Sequence, residues 1–165
     1  HPSMEVGMIG HEGILGVSLL LDVDQAPQHA VVKGAGMALR ITTTALRRLL
    51  PGSPVLLRSL QRGCYRVMVQ VAQTSVCTRF HQVDARLARC LVMIHDRAQA
   101  DEFFLTHQFL ADMLGVQRSA VTIASGFLRH DGLIGYSRGR ISVLDRPGLE
   151  AAACECYGEQ RVAIP

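Results

Sequence analysis

The chain has 165 residues, a net charge of +3 and 48% hydrophobic residues, which is enough for one large domain or two small ones. No run of eighteen apolar residues occurs, so no helical membrane span is expected, and the opening residues show no signal peptide pattern. Tryptophan is absent and aromatics make up only 5%, which argues against a single-strand binder that stacks bases on aromatic platforms, while sixteen arginines and one lysine, Lys33, permit contact with nucleic acid.

The start at His1-Pro2-Ser3 reads as a processed form or a fragment. Residues 4–43 hold short apolar runs broken by Gly7, Gly10, Gly13 and Gly16, and residues 30–43 read as strand, turn and strand around Gly34 and Gly36. Turns this frequent predict small antiparallel β-structure. The segment is too short to close a sandwich or barrel, so strands are missing before it or something else covers the sheet. The spacing Gly10-x-Glu12-Gly13-x-x-Gly16 resembles a dinucleotide loop, but no βαβ unit surrounds it and β-turns are the reading.

Residues 44–50 predict a short helix, capped by a threonine and stopped by Pro51-Gly52. A long helix follows to Arg79, with Ser53 as N-cap and Pro54 at its first position. Along it Leu57, Leu60, Cys64, Val67 and Val71, then Thr74 and Thr78, repeat in steps of three and four. That is a heptad seam, the mark of a dimer interface. The competing reading is a helix buried against its own sheet, and Val55, Leu56, Met68 and Val69 widen the stripe enough to serve both surfaces. A further helix is expected over residues 83–97, and the polar segment 96–102 reads as a linker.

The sharpest pattern lies in residues 104–145. Thr106 is placed to cap a helix running to Leu114, and Gly115 supplies the left-handed residue of a tight turn. A second helix spans residues 117–130. Two helices crossing through so short a turn need a small residue at the contact, and Ala111 sits four before Gly115. Leu110, Leu114, Val116, Val121 and Ala124 then point inward. Gln117, Arg118, Ser119, Thr122 and Ile123 are left on the outer face, where a helix entering a major groove meets base edges. Asp131-Gly132 ends the helix, and residues 133–136 and 140–144 read as strands joined through Ser137-Arg138-Gly139. Such a hairpin is a wing, with Arg138 and Arg140 facing phosphates and Ser137 adding a hydrogen bond. An ordinary helical hairpin is the bland alternative.

These residues resemble the Crp/Fnr family of bacterial transcription regulators. The helix-turn-helix at 106–128 is similar to that family's DNA-reading unit, and 133–144 to its wing. Residues 53–79 resemble its dimerisation helix, and residues 5–41 the later strands of its β-roll sensor. The implied fold is α+β: a partial antiparallel β-roll (1–52), a dimerisation helix with a connecting helix (53–97) and a winged helix-turn-helix (98–165). The implied function is binding of double-stranded DNA as a homodimer at a near-palindromic promoter site in the cytoplasm, with RNA polymerase as a further candidate partner and an unknown small-molecule effector. Thr106, Gln117, Arg118, Ser119, Thr122, Ile123, Ser137, Arg138 and Arg140 are the DNA-binding candidates.

The chain also departs from the family. Members that bind cyclic AMP carry a Gly-Glu pair and a later Arg followed by Ser or Thr, whereas here Gly16 is followed by Val17-Ser18 and the arginine position falls near Gln28-His29-Ala30. A cyclic phosphate would be buried unpaired, so cyclic nucleotides are not expected to bind. Arg118 is kept in the recognition helix, but Ser119 and Ile123 predict a different operator.

Five cysteines, Cys64, Cys77, Cys90, Cys154 and Cys156, read as free thiols. Cys64, Cys77 and Cys90 stand thirteen apart, and His81 or His95 could join them around a metal or haem. Helical cysteines are more often small buried apolar groups. Cys154-x-Cys156 alone is too tight and isolated for a zinc site, which needs two ligand pairs. No metal, cofactor or catalytic residue is therefore expected. The rival classes are an enzyme using His11, Glu12 and Ser18, and a sensor or dimerisation module that makes no DNA contact.

Overall fold

In the computed structural model, which describes residues 4–26 and 28–158, six α-helices and three short strands follow one another: α1 (Thr43–Leu49), α2 (Pro54–Phe80), α3 (Val83–Ala98), β1 (Glu102–Phe104), α4 (His107–Leu114), α5 (Arg118–His130), β2 (Ile134–Ser137), β3 (Arg140–Val143) and α6 (Arg146–Ala152). The outer ends of the first and last predicted segments, 1–3 and 159–165, lie outside the described residues. The fold class is α+β, rich in helix with one small antiparallel sheet. Two compact units form, residues 9–68 and residues 4–8 with 69–158, and their boundary falls within α2.

In the unit of residues 9–68, Thr42 caps α1 by accepting a hydrogen bond at Oγ1 from the Ala45 amide at 3.3 Å, and Leu46 and Leu60 are buried. Arg47 pairs with Asp22 and Asp24 at 3.1 and 2.7 Å on an exposed surface, where such pairs add little stability. The strands expected between residues 4 and 43 are not formed. Among the described residues this segment holds a 3-10 helix (Val17–Leu21), turns and extended chain. Val32, Met37 and Leu39, within the segment read as strand, turn and strand, are 88%, 103% and 104% exposed. A strand is stable only when a neighbour takes its amide and carbonyl groups and a second layer takes its apolar face, and this segment meets neither.

The other unit has the larger core. Leu87, Leu91 and Val92 of α3, Leu110 of α4, Val121 of α5, Ile134 and Ile141 of the sheet and Leu149 of α6 are all sealed from solvent. The sheet order is β1-β3-β2, antiparallel throughout, with Phe103 opposite Ile141 and Ile141 opposite Tyr136. Two of these elements escaped the sequence reading. β1 was hidden at the end of a polar segment, because three residues carry no measurable alternation. α6 is capped by Asp145, whose Oδ1 accepts from the Gly148 amide at 3.0 Å, with proline in the first turn. At the chain's other end the Met8 amide donates to Gln70 Oε1 at 2.7 Å, and Gln70 Nε2 donates to the Met8 carbonyl at 3.0 Å. This satisfies a buried amide side chain.

Helix α2 starts at Pro54 as expected. Of its predicted seam, Leu60 is already buried, Leu57, Cys64 and Val67 are half-buried and Val71 is exposed. Tyr65, Met68 and Val76 are exposed as well. Leu60 therefore has cover within the chain, contrary to the seam reading. Among the described residues, no helix is long and apolar enough to cross a membrane.

Candidate nucleic-acid interface

Thr106 Oγ1 accepts a hydrogen bond from the Phe109 amide at 3.1 Å and so starts α4. At its other end Gly115 sits at φ 64°, ψ 40°, and its amide reaches the carbonyls of Ala111 and Asp112. A side chain at Gly115 would be strained by that φ and would stand 3.0 Å from Met4 Sδ. The Val116 amide then donates to the Ala111 carbonyl at 3.0 Å, which closes the turn. Ala111 is 1% exposed, because α5 passes over it.

Helix α5 starts at Arg118, one residue later than expected, since Gln117 is the N-cap. Gln117 makes no side-chain cap, which leaves its amide free to face outward. Val121, Ala124 and Leu128 are buried, whereas Arg118, Ser119, Thr122 and Ile123 are exposed, so the two faces divide as the period of 3.6 dictates. Thr122 gives its hydroxyl proton to the Arg118 carbonyl at 3.0 Å. Its oxygen is then left to accept from His107 Nδ1, also at 3.0 Å, which fixes the tautomer. The His107 ring stacks on Tyr136 with centroids 4.2 Å apart. Burial, and then the charge of Arg118, hold this imidazole below its ordinary pKa. His107 and Tyr136 thus brace Thr122, a link that no local pattern reveals because the three lie on α4, α5 and β2.

The wing is a two-residue hairpin. Ser137 pairs with Arg140, and Arg138 and Gly139 between them have φ 49° and 81°, the double positive φ of a type I′ turn. The Leu105 amide donates to the Gly139 carbonyl at 2.7 Å and ties the turn to the approach of α4. The two arginines differ. Arg138 is exposed at the tip, while Arg140 forms an ion pair with Glu102 of β1 at 3.0 Å, and Ser142 donates to the same carboxylate at 3.3 Å. The sequence reading treated both arginines alike, because Glu102 lay in what looked like a linker.

Residues 85–152 match the Crp-like helix-turn-helix domain. Over this segment the chain is similar to Crp-like helix-turn-helix proteins. Among solved structures, FixK2 from Bradyrhizobium japonicum shares the fold, with a TM-score of 0.61 at 18% identity, covering 69% of this chain and 60% of that one. A CRP/FNR-family transcriptional regulator from Thermus thermophilus gives 0.55 at 25% identity, covering 61% of this chain and 55% of that one. A CRP-family regulator from the same organism gives 0.51 at 25%, covering 68% and 55%. The chain thus spans 55–60% of the length of these relatives. No curated protein matches it by sequence search. Within the matched segment lie the outer face of α5 and the tip of the wing, the elements singled out from the sequence.

A second set of groups converges in the unit holding the winged domain. Cys77, His81, Cys154 and Cys156 place their ligating atoms within 4.8 Å of one another. Cys154-x-Cys156 is isolated along the sequence but not in the fold, which brings it a second pair, Cys77-x3-His81. Hydrogen bonding with Cys154 leads in holding the Cys77 thiol down at about 5, against the effect of burial. The same contact pushes Cys154 up, and burial pushes up Cys156. Cys64 and Cys90 take no part in this set.

Proposed function

We propose that the chain is the DNA-reading part of a transcription regulator of the Crp/Fnr type, acting in the cytoplasm as a homodimer on a near-palindromic site. The observation that carries this is the exposed row Arg118, Ser119, Thr122 and Ile123 on α5, beside an arginine-tipped wing, within a Crp-like helix-turn-helix. An α-helix fits the major groove, and side chains near its N-terminal end are the ones that reach base edges. Gln117 and Arg118 hold the groove edge and a guanine, and Ile123 packs on a thymine methyl. Thr106, Ser137 and Arg138 take phosphates. Arg140 joins them only when a phosphate outcompetes Glu102.

Residues 1–52 are proposed as part of an effector domain, residues 53–97 as the dimerisation and connecting helices, and residues 98–165 as the DNA-binding domain. Any effector is expected to be other than a cyclic nucleotide, since by the family resemblance Gln28 and His29 fall near the position of the phosphate-binding arginine. Selection of bound fragments from random duplex DNA tests the proposal. A single enriched motif with two inverted half-sites is expected, and recovery of no enriched motif would point to a sensor or dimerisation module instead.

A further inference from the structure

Cys77 lies in the last turn of α2 and His81 just past its end, where the His81 amide still donates to the Cys77 carbonyl at 3.1 Å and keeps the helical spacing of four. Cys154 and Cys156 come from the segment just after α6, more than seventy residues away in the chain. Cys77 Sγ lies 3.5 Å from Cys154 Sγ, and Cys156 Sγ lies 3.6 Å from His81 Nδ1. The sulfur separation is far beyond a disulfide, whose bond is about 2.05 Å. It is close to the ligand spacing around one tetrahedral ion, about 3.5–3.8 Å for sulfur at about 2.3 Å and nitrogen at about 2.0–2.1 Å. An iron–sulfur cluster divides its thiolates among several irons and needs a wider set than this one.

The surroundings suit a metal too. All three cysteines are buried and His81 is half-buried. His81 Nε2 faces Glu155 Oε1 at 2.9 Å, which turns Nδ1 toward the sulfurs. A carboxylate behind a ligating imidazole is the usual outer partner in zinc sites. Arg89 is buried, its Nε and Nη2 have no hydrogen-bond partner among the described residues, and its charge acts on all three sulfurs. Three neutral thiols would leave that guanidinium uncompensated. Three thiolates on a divalent cation carry one net negative charge, which balances it.

We infer that Cys77, His81, Cys154 and Cys156 bind one zinc ion. Three thiolates and an imidazole fill all four tetrahedral positions, so the site is closed and structural, with no open position for chemistry. Its effect is to fasten the segment after α6 to the end of α2, holding the carboxyl end of the winged domain on the helix from which α3 departs. Residues this far apart give no ligand spacing to read, and only the return of α6 assembles them.

The whole chain, produced with zinc in the medium and purified without chelator under reducing conditions, is the material for the test. Elemental analysis should find about one zinc per chain. Cobalt(II) in its place should show thiolate-to-metal charge transfer and the strong visible bands of tetrahedral coordination. The Cys154→Ser/Cys156→Ser variant should lose the ion, and Cys64→Ser/Cys90→Ser should keep it. If the first variant does not fold, Glu155→Ala leaves every ligand in place and should weaken zinc about 10–100-fold in chelator competition. Wild-type protein that holds no stoichiometric metal after anaerobic reconstitution with zinc would overturn the inference. So would a Cys77–Cys154 disulfide in the reduced preparation, or equal metal loss in Cys64→Ser/Cys90→Ser.

Discussion

Arg118 and Arg138 carry the same charge but stand in different mechanical settings. Arg118 occupies the first turn of a helix braced from within by Val121 and Ala124, so its fork is presented at a defined angle. Arg138 sits at a hairpin tip in a left-handed conformation, exposed on all sides. Arg118→Ala is therefore expected to cost ~1–3 kcal/mol on the best operator and to relax preference at one base pair. Arg138→Ala should weaken all duplexes alike and reduce the salt slope by about one counterion per site. Affinity measured against salt, on operator and random duplexes, separates the two; equal losses on both DNAs for Arg118→Ala would make it a phosphate contact. On the opposite face of α5, Ser125 is 3% exposed and its hydroxyl has no partner among the described residues. Burying an unbonded hydroxyl is unfavourable, and alanine is the better helix former. Ser125→Ala should raise stability by ~1 kcal/mol in thermal unfolding, and a lower melting temperature would show that the hydroxyl has a partner in solution.

At the scale of elements, the helix-turn-helix is held by its caps. Thr106 closes the start of α4, and its end is served by Gly115 and by Arg86 of α3, whose Nη2 donates to the Leu114 carbonyl. Arg86 is buried, and the cation at a helix C-terminus also opposes the negative end of the helix dipole. Arg86→Met should keep much of the packing but orphan that carbonyl, with an expected loss of about 1.5–3 kcal/mol in denaturant unfolding. A change within about ±0.5 kcal/mol, the range of surface substitutions, would mean that water replaces the guanidinium. Thr106 and Gly115 were legible because caps act within a few residues. Arg86 was not, because its acceptor lies on another helix.

For the molecule as a whole, the exposed apolar residues of α2 are the main feature. Tyr65 is 57% exposed and Met68 64%, and Val71 continues the row. Contact between two copies along this row would bury them, and two recognition helices would then address two half-sites. If the proposed dimer forms along this row, Met68→Glu/Val71→Glu should sediment as a monomer at micromolar concentration and bind the operator much more weakly. A variant that remains dimeric would place the interface elsewhere.

What the sequence determined by itself was the local part: the cap at Thr106, the left-handed turn at Gly115, the inner and outer faces of α5, and the arginine at the wing tip. Each depends on residues within a turn or two, where backbone sterics and helical period leave few options. Tertiary structure decided the rest. The alternating apolar runs near residues 30–41 became extended chain, because strand formation depends on a neighbour that sequence pattern cannot supply. Glu102 reached Arg140 only when β1 paired with β3. Leu60 found cover that its heptad position did not foretell. The four metal-ligating groups met only because α6 returns its trailing segment to the end of α2, and contacts between residues so far apart are set by packing of the intervening core and by no spacing along the chain.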